Sequence, residues 1–357
     1  MVVDSDGLSV ASWFASWLLG IRQTNRLTPR SIENYETYSR RYVVPALGHF
    51  KLAELTSLDV QTWLDGLIAD GLGVPTVKHI RATLRVALGR ALKMQLVSRN
   101  VCGDAVIELP THSPAPAQML ELGEIEHFQA AIFSQLAGEN GHLAQSEATL
   151  LYFGLTTGLR NEEVIGLDWS DVELVGDDDA SLVHVRRILQ RVPDYAAEPK
   201  AHSNGRLIQP RRLHVGTPKS AAGRRTLPLS PETSRMLRAE RDRQRLAGWT
   251  TLAAGDLVFR TRYGKPLSDV YLNQRMRRMC ERAGIPYRSF YALRHTAASL
   301  LFHAGESDVS IAQFLGHADP ATTKRIYARM FKETLPGRME KTRQLLLGML
   351  GVEGTAS

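Results

Sequence analysis

The sequence predicts a mainly α fold with a small β-sheet, divided into two domains. Three observations lead there. The chain has 357 residues, more than one ordinary core accommodates. Its first hundred residues read as apolar patterns at helical spacing, closed by Gly or Pro. Beyond residue 120, helical patterns alternate with short β-branched stretches around a long polar segment.

The elements follow in order. "LSVASWFASWLLG" has helical spacing and stops at Gly20. "TPRSIENYETYSRRYVVPALG" opens with Pro29 behind Thr28 and ends before Pro45. "TSLDVQTWLDGLIADG" and "TVKHIRATLRVALGRALKMQLV" are the next two helices. Pro110, Pro114 and Pro116 in "ELPTHSPAPAQ" prevent a helix and favour an extended linker. The predicted division is therefore a helical domain over 1–107, a linker over 108–119, a second domain over 120–335 and a tail over 336–357. In the second domain, "SEATLLYFGLTTG" and "RNEEVIGL" read as helices meeting at Gly158, while "ASLVHVRRILQRV" and "GRRTLPLS" read as strands. "SPETSRMLRAERDRQRLAG", "RSFYALRHTAASLLFHAG", "SDVSIAQFLG" and "DPATTKRIYARM" read as four further helices, the last with Asp319 as N-cap and Pro320 behind it.

Composition narrows the chemistry. The content is that of a soluble globular chain, no apolar run reaches a membrane span, and no signal peptide is visible. Cys102 and Cys280 are too few for a disulfide framework or a thiolate metal site, which points to a reducing cytoplasm. The net charge of +7 weakly favours an anionic partner, and its distribution says more. Between Gly71 and Gly103 there is no Asp or Glu, and Lys78, Arg81 and Arg85 share one helix face that Arg90 and Lys93 extend. A face of one sign repels itself until phosphates neutralise it; the alternative is an ordinary solvated face. From Arg186 to Arg225, ten Lys and Arg stand against Asp194 and Glu198.

Four cation-centred stretches then occur in sequence: "TGLRNEEV" with Arg160, "TPKSAAGRRTLPL" with Lys219, "ALRHTAAS" with Arg294, and "LGHADPATTKRIY" with His317 and Tyr327. Any one of ten tyrosines is by default a packing residue. In this order, however, the stretches resemble the tyrosine recombinase family, the phage integrases and their relatives. The resemblance covers most of the chain. It makes the first domain a helical core-binding domain and the second an α+β tyrosine-recombinase catalytic domain.

What the resemblance implies is a DNA recombinase acting through a 3′-phosphotyrosine. Tyr327 is its nucleophile, Arg160 and Arg294 clamp the phosphate, Lys219 is the general acid, and His317 donates to a phosphate oxygen. A planar guanidinium suits two phosphate oxygens, and a phenol becomes a useful nucleophile only among cations. Lys200 in "AEPKAHSNGR" competes with Lys219, but lacks the basic pair Arg224 and Arg225 and the strand that follow Lys219. That pair is a candidate DNA contact. Tyr291 stands where the family usually has histidine, three residues before Arg294, and a phenol there does not titrate near neutrality. His295 and Glu163 are candidate supporting residues. His295 lies about 100° round the helix from Arg294, so it does not simply substitute for that histidine. A surface carboxylate is the plain alternative for Glu163.

No P-loop and no carboxylate cluster of metal-ligand character is visible, so neither cofactor nor metal is expected. The implied partners are double-stranded DNA attachment sites, three further copies of the chain in a homotetramer, and an accessory directionality factor, with no membrane. The implied location is the cytoplasm of a bacterial host, at the nucleoid. Because "SVASWFASWL" begins near residue 9, no arm-binding domain is expected ahead of it. The stretch 190–215 is an enlarged hairpin loop or an extra DNA contact. The tail "GRMEKTRQLLLGMLGV" folds on its own domain or docks on a neighbouring protomer. Two other functions stay open: a host resolvase of chromosome dimers, and a DNA-binding protein without catalysis.

Overall fold

Side chains that receive free backbone amides mark where the first helices begin. In this computed structural model, which describes residues 7–24, 26–103, 119–138, 141–176, 181–201, 207–248, 255–319 and 321, Ser9 caps α1 (Val10–Gln23) by accepting from Ser12 N. Thr28 caps α2 (Pro29–Tyr38), and a Thr56–Asp59 capping box opens α4 (Ser57–Ala69). Between α2 and α3 (Val44–Leu47) the backbone widens into a π turn, Ser39–Val43, just ahead of Pro45, which has no amide to donate. α5 (Val74–Lys93) buries Val77, Ile80, Leu84, Ala87, Leu88 and Ala91. They pack with Trp13, Phe14, Trp17, Leu47, Val60 and Leu64 in one core. The indole of Trp13 donates to Ala87 O at 3.1 Å, so its one polar atom is satisfied inside.

The chain divides into two compact units, Met1–Ala115 with Val192–Arg212, and Pro116–Arg191 with Leu213–Ser357. Residues 192–212, expected in the second domain, group instead with the helices of the first unit. The physical reason is a set of charge contacts on α1 and α2. Arg211 pairs with Glu33, Tyr195 Oη donates to Glu36 at 2.7 Å, and Arg22 pairs with Glu36 while lying 4.8 Å above the Tyr195 ring. Burial favours the uncharged Glu33, but Arg211 and then Arg30 outweigh it and hold that carboxyl below its ordinary range.

In the second unit α7 (Gly141–Thr157) packs on α6 (Leu122–Ala137), α9 (Pro231–Leu246), α10 (Asp269–Ala283) and α11 (Ala292–His303), while α8 (Asn161–Ile165) packs on α10 and α12 (Asp308–Leu315) on α11. α7 is buried through Ala148–Leu155 and forms the middle of a core with Phe128, Ile132, Leu237, Leu272, Met276 and Phe290. An antiparallel sheet of β1 (Val172–Glu173), β2 (Leu182–Val185) and β7 (Arg225–Pro228) has the order β1-β2-β7. Val183 faces the core opposite Val172 and Leu227. β3 (Ile188–Pro193) pairs with β6 (Arg211–Gly216), and β4 (Lys200–Ala201) with β5 (Leu207–Ile208), so the small β content of the described residues is spread over three short sheets.

Helix α11 starts at Ala292, later than the sequence suggested, because the Phe290 amide donates to Asn273 Oδ1 on α10 instead of joining the helix. The helix expected over 319–330 lies outside the described residues apart from Asp319 and Ala321, where Asp319 Oδ1 accepts from Ala321 N at 2.9 Å. The linker over 108–118 and the tail over 336–357 lie outside them too. Among the described residues no helix is long and apolar enough to cross a membrane.

Candidate active site

The site is built where α7 ends and α8 begins. Gly158 turns the chain with φ +59°, a conformation glycine adopts without strain, and the turn brings Arg160 to the N-cap of α8. Glu163, one turn on, accepts from Arg160 N at 2.9 Å and from Arg160 Nη1 at 2.8 Å. It is 2% exposed, so the surface-carboxylate alternative is replaced by a buried one.

The C-terminus of α12 supplies the second half. Gly316 is left-handed at φ +68°, and His317 N donates back to Ala312 O at 2.9 Å, closing the helix so that His317 follows directly. Three arginines take three successive carbonyls of this terminus. Arg225 Nε donates to Phe314 O at 2.7 Å, Arg294 Nη2 to Leu315 O at 2.6 Å, and Arg160 Nη2 to Gly316 O at 3.0 Å. A helix C-terminus carries unsatisfied carbonyls and partial negative charge, so guanidinium groups are stabilised there. Arg294 also donates to Gly158 O at 2.8 Å, joining the two turns.

Electrostatics follow from this crowding. Burial and then the nearby Arg160 lower Arg294 to about 10. Burial, then Arg294, Arg160, Arg225 and His295 in turn, lower His317 to about 4. Burial and Arg294 lower His295 to about 4 as well. Both imidazoles are therefore neutral at pH 7, each with one N–H to donate. Burial alone would raise Glu163, but Arg225 and then Arg160 keep it ionised and below the ordinary carboxylate range. Two guanidinium groups thus pair with the one carboxylate and a third, Arg294, donates to Gly158 O beside them, an excess of positive charge suited to a phosphate.

The remaining candidates fall in different places. Tyr291 is 42% exposed at the N-cap of α11, its ring edge-on to His295 at 5.2 Å. Lys219 is exposed between β6 and β7, ahead of a 3-10 turn, Ala221–Gly223, and belongs to the same unit as Arg160 and Arg294. Lys200 sits in β4, in the other unit. Arg224 is exposed. Arg225, taken from the sequence as a DNA contact, instead has 7% side-chain exposure and points inward at Glu163. The physical reason is the buried carboxylate, which needs more counter-charge than Arg160 supplies. Tyr327 lies outside the described residues.

On α5, Lys78 and Arg85 are exposed, while Arg81 is half-buried with Nη2 3.5 Å from Cys102 O. Arg90 and Lys93 rim a cavity of about 600 Å³ lined by Trp13 and Trp17. Among the described residues no group of three His, Cys, Asp or Glu side chains is placed to hold a metal.

Three guanidinium groups gathered at one helix end are chemically suited to an anion such as a phosphate. Comparison with known proteins gives the family. Residues 9–68 match the phage integrase N-terminal SAM-like domain, and residues 207–334 match the phage integrase family. The chain is 26% identical to a tyrosine recombinase XerC-like protein of Caldanaerobacter subterraneus subsp. tengcongensis, over 97% of this chain and 85% of that one. It is 28% identical to an integrase of Streptomyces ambofaciens, over 92% and 76%. In fold it is similar to the Tn1549 transposon integrase in complex with transposon right end DNA, with TM-score 0.72, 18% identity and coverage of 94% and 99%. It is also similar to a lambda integrase dimer bound to a core site, with TM-score 0.59, 17% identity and coverage of 90% and 78%. The chain belongs to the tyrosine recombinase family, the site-specific recombinases that break and rejoin DNA.

Proposed function

We propose that the chain is an integrase-type recombinase that inserts or excises a mobile element. The observation that carries this reading is the convergence of Arg160, Arg225 and Arg294 on the end of α12 beside a neutral His317. In the reaction Tyr327 Oη bonds to phosphorus and loses its proton to solvent. The bond from phosphorus to the 5′ oxygen breaks, and Lys219 protonates that oxygen. Arg160 and Arg294 neutralise the non-bridging oxygens, and His317 donates one hydrogen bond to them. The phosphotyrosine ester conserves the energy of the broken bond, so a free 5′ hydroxyl reverses the step and no cofactor is required. Tyr291 donates a hydrogen bond in place of the family's usual histidine, with the neutral His295 behind it.

The proposed partners are duplex attachment sites, three further copies of the chain and a directionality factor, in the cytoplasm of a bacterial host at the nucleoid. Lys78, Arg85, Arg90, Lys93 and Arg224, exposed in this structure, are proposed phosphate contacts. A resolvase of chromosome dimers is the second reading, favoured by relatives such as the tyrosine recombinase XerC of Brucella melitensis, 24% identical over 91% of this chain.

The test uses a pool of nicked duplexes with randomised arms, in which cleavage releases a short strand and traps the adduct. Wild-type protein is expected to enrich one inverted-repeat half-site bound covalently. Binding without any trapped adduct would overturn the enzyme reading. Joining of two different sites sharing that half-site supports an integrase, and resolution restricted to two identical sites supports the second reading.

A further inference from the structure

Glu163 makes two kinds of contact, and only one belongs to a residue that faces the phosphate in the reading above. Arg160 gives it Nη1 and a backbone amide. Arg225 gives it both terminal nitrogens, Nη1 to Oε1 at 3.2 Å and Nη2 to Oε2 at 3.0 Å. The same guanidinium holds Gly223 O at 3.0 Å in the turn that follows Lys219, and Phe314 O at 2.7 Å in the helix end that precedes His317. One side chain therefore ties together the segments that carry Arg160, Lys219 and His317. Gly316 fits against it closely: a Cβ there would stand 2.8 Å from Arg225 Nη1 and 2.8 Å from Ala222 O.

We propose that Arg225 is a positioning residue for strand cleavage, which holds the Glu163 carboxylate so that Arg160 keeps its charge for the scissile phosphate. The argument is one of charge balance. A carboxylate with 1% side-chain exposure must be neutralised by its surroundings. With Arg225 engaged at both oxygens, Arg160 contributes one nitrogen to Glu163 and one to Gly316 O. Without Arg225, Glu163 has Arg160 as its remaining guanidinium partner and draws it inward, away from the position where charge develops. Arg225 itself touches no DNA in this account. The inference rests on the recombinase reading of the site, and its test separates the two.

The test compares wild type, Arg225→Lys, Arg225→Gln and the double variant Arg225→Gln with Glu163→Gln. The probe is the nicked half-site recovered in the selection above, made with an ordinary scissile phosphate or with a methylphosphonate. A methylphosphonate has lost one charged oxygen, so cleaving it demands less cationic neutralisation. On the phosphate, Arg225→Gln is expected to slow adduct formation by about a hundredfold, the scale of losing one preorganised electrostatic partner, with half-site affinity and its salt dependence little changed. Arg225→Lys is expected to fall between it and wild type. The methylphosphonate is expected to narrow the deficit by at least about tenfold, because the missing function is charge at phosphorus. The double variant is expected to regain part of the rate, since the unpaired buried carboxylate is gone.

Three results would overturn the proposal. One is an Arg225→Gln protein that cleaves the phosphate at the wild-type rate. Another is a loss equal on both substrates and shared by Arg225→Lys, which marks a folding role. The third is weakened binding with a flatter salt dependence, which marks Arg225 as a phosphate contact. Absence of a wild-type adduct on the ordinary phosphate would instead overturn the recombinase reading itself.

Discussion

His317 and His295 are neutral because burial and the arginines beside them make a further positive charge costly. Their folded pKa values of about 4 lie below the unfolded value of about 6.5. Between those limits the unfolded chain binds protons that the folded chain refuses. Stability from the neutral imidazoles is therefore present above pH 6.5 and lost as pH falls toward 4. Denaturant midpoints measured from pH 7 to pH 4.5 should drop, and His317→Asn should make the drop shallower. An identical pH slope in that variant would remove His317 from this role. At this scale Arg160, Arg294 and His317 were legible as candidates in the sequence, because each stands in a short motif with a fixed neighbour. The role of Arg225 was not. It lies in a basic run that resembles surface, and the partner that buries it, Glu163, is 62 residues away. The one available signal was a carboxylate a turn beyond Arg160 that needs a second cation once buried.

The closed end of α12 gives a prediction at the scale of elements. Alanine at Gly316 would adopt a left-handed φ of +68° and press its Cβ on Ala222 O and Arg225. The left-handed backbone alone costs about 1–2 kcal/mol, so Gly316→Ala should lower stability by at least that much and slow cleavage as well. Thermal unfolding checks the first effect and adduct formation the second; an unaffected Tm would contradict the packing described. On α5, Lys78→Ala with Arg85→Ala should flatten the salt dependence of DNA binding by about 0.9 in slope per lost phosphate contact. Arg81 is left out because its half-buried side chain also reaches Cys102 O. An unchanged slope returns this face to ordinary solvated surface. Helices α1, α2, α4 and α5 were readable because caps, prolines and glycines mark their ends. Helices α6 and α10 went unread, although Ile125, Phe128 and Ile132, and Leu272, Met276 and Met279, have helical spacing. Dense charge between the apolar positions of α10 masked its stripe.

At the scale of the molecule, the division into a helical and an α+β part was readable from composition and the proline-rich stretch. The grouping of 192–212 with the first unit was not, since Arg211 meets Glu33 across 178 residues of sequence and neither position is unusual locally. The tail, outside the described residues, is proposed to join protomers. Truncation after Glu340 should leave single half-site binding intact and abolish cooperative recombination of two sites, and wild-type recombination by the truncated chain would contradict it. The proposed reaction has Tyr327 attack a phosphate neutralised by Arg160 and Arg294. It is tested most directly by trapping the adduct on a nicked half-site, digesting it with nuclease and trypsin, and locating the nucleotide by mass spectrometry. The expected result is a nucleotide joined through its 3′ phosphate to the peptide Ile326–Arg329, and no adduct from Tyr327→Phe. A nucleotide on the peptide Ser289–Arg294, which contains Tyr291, would contradict it.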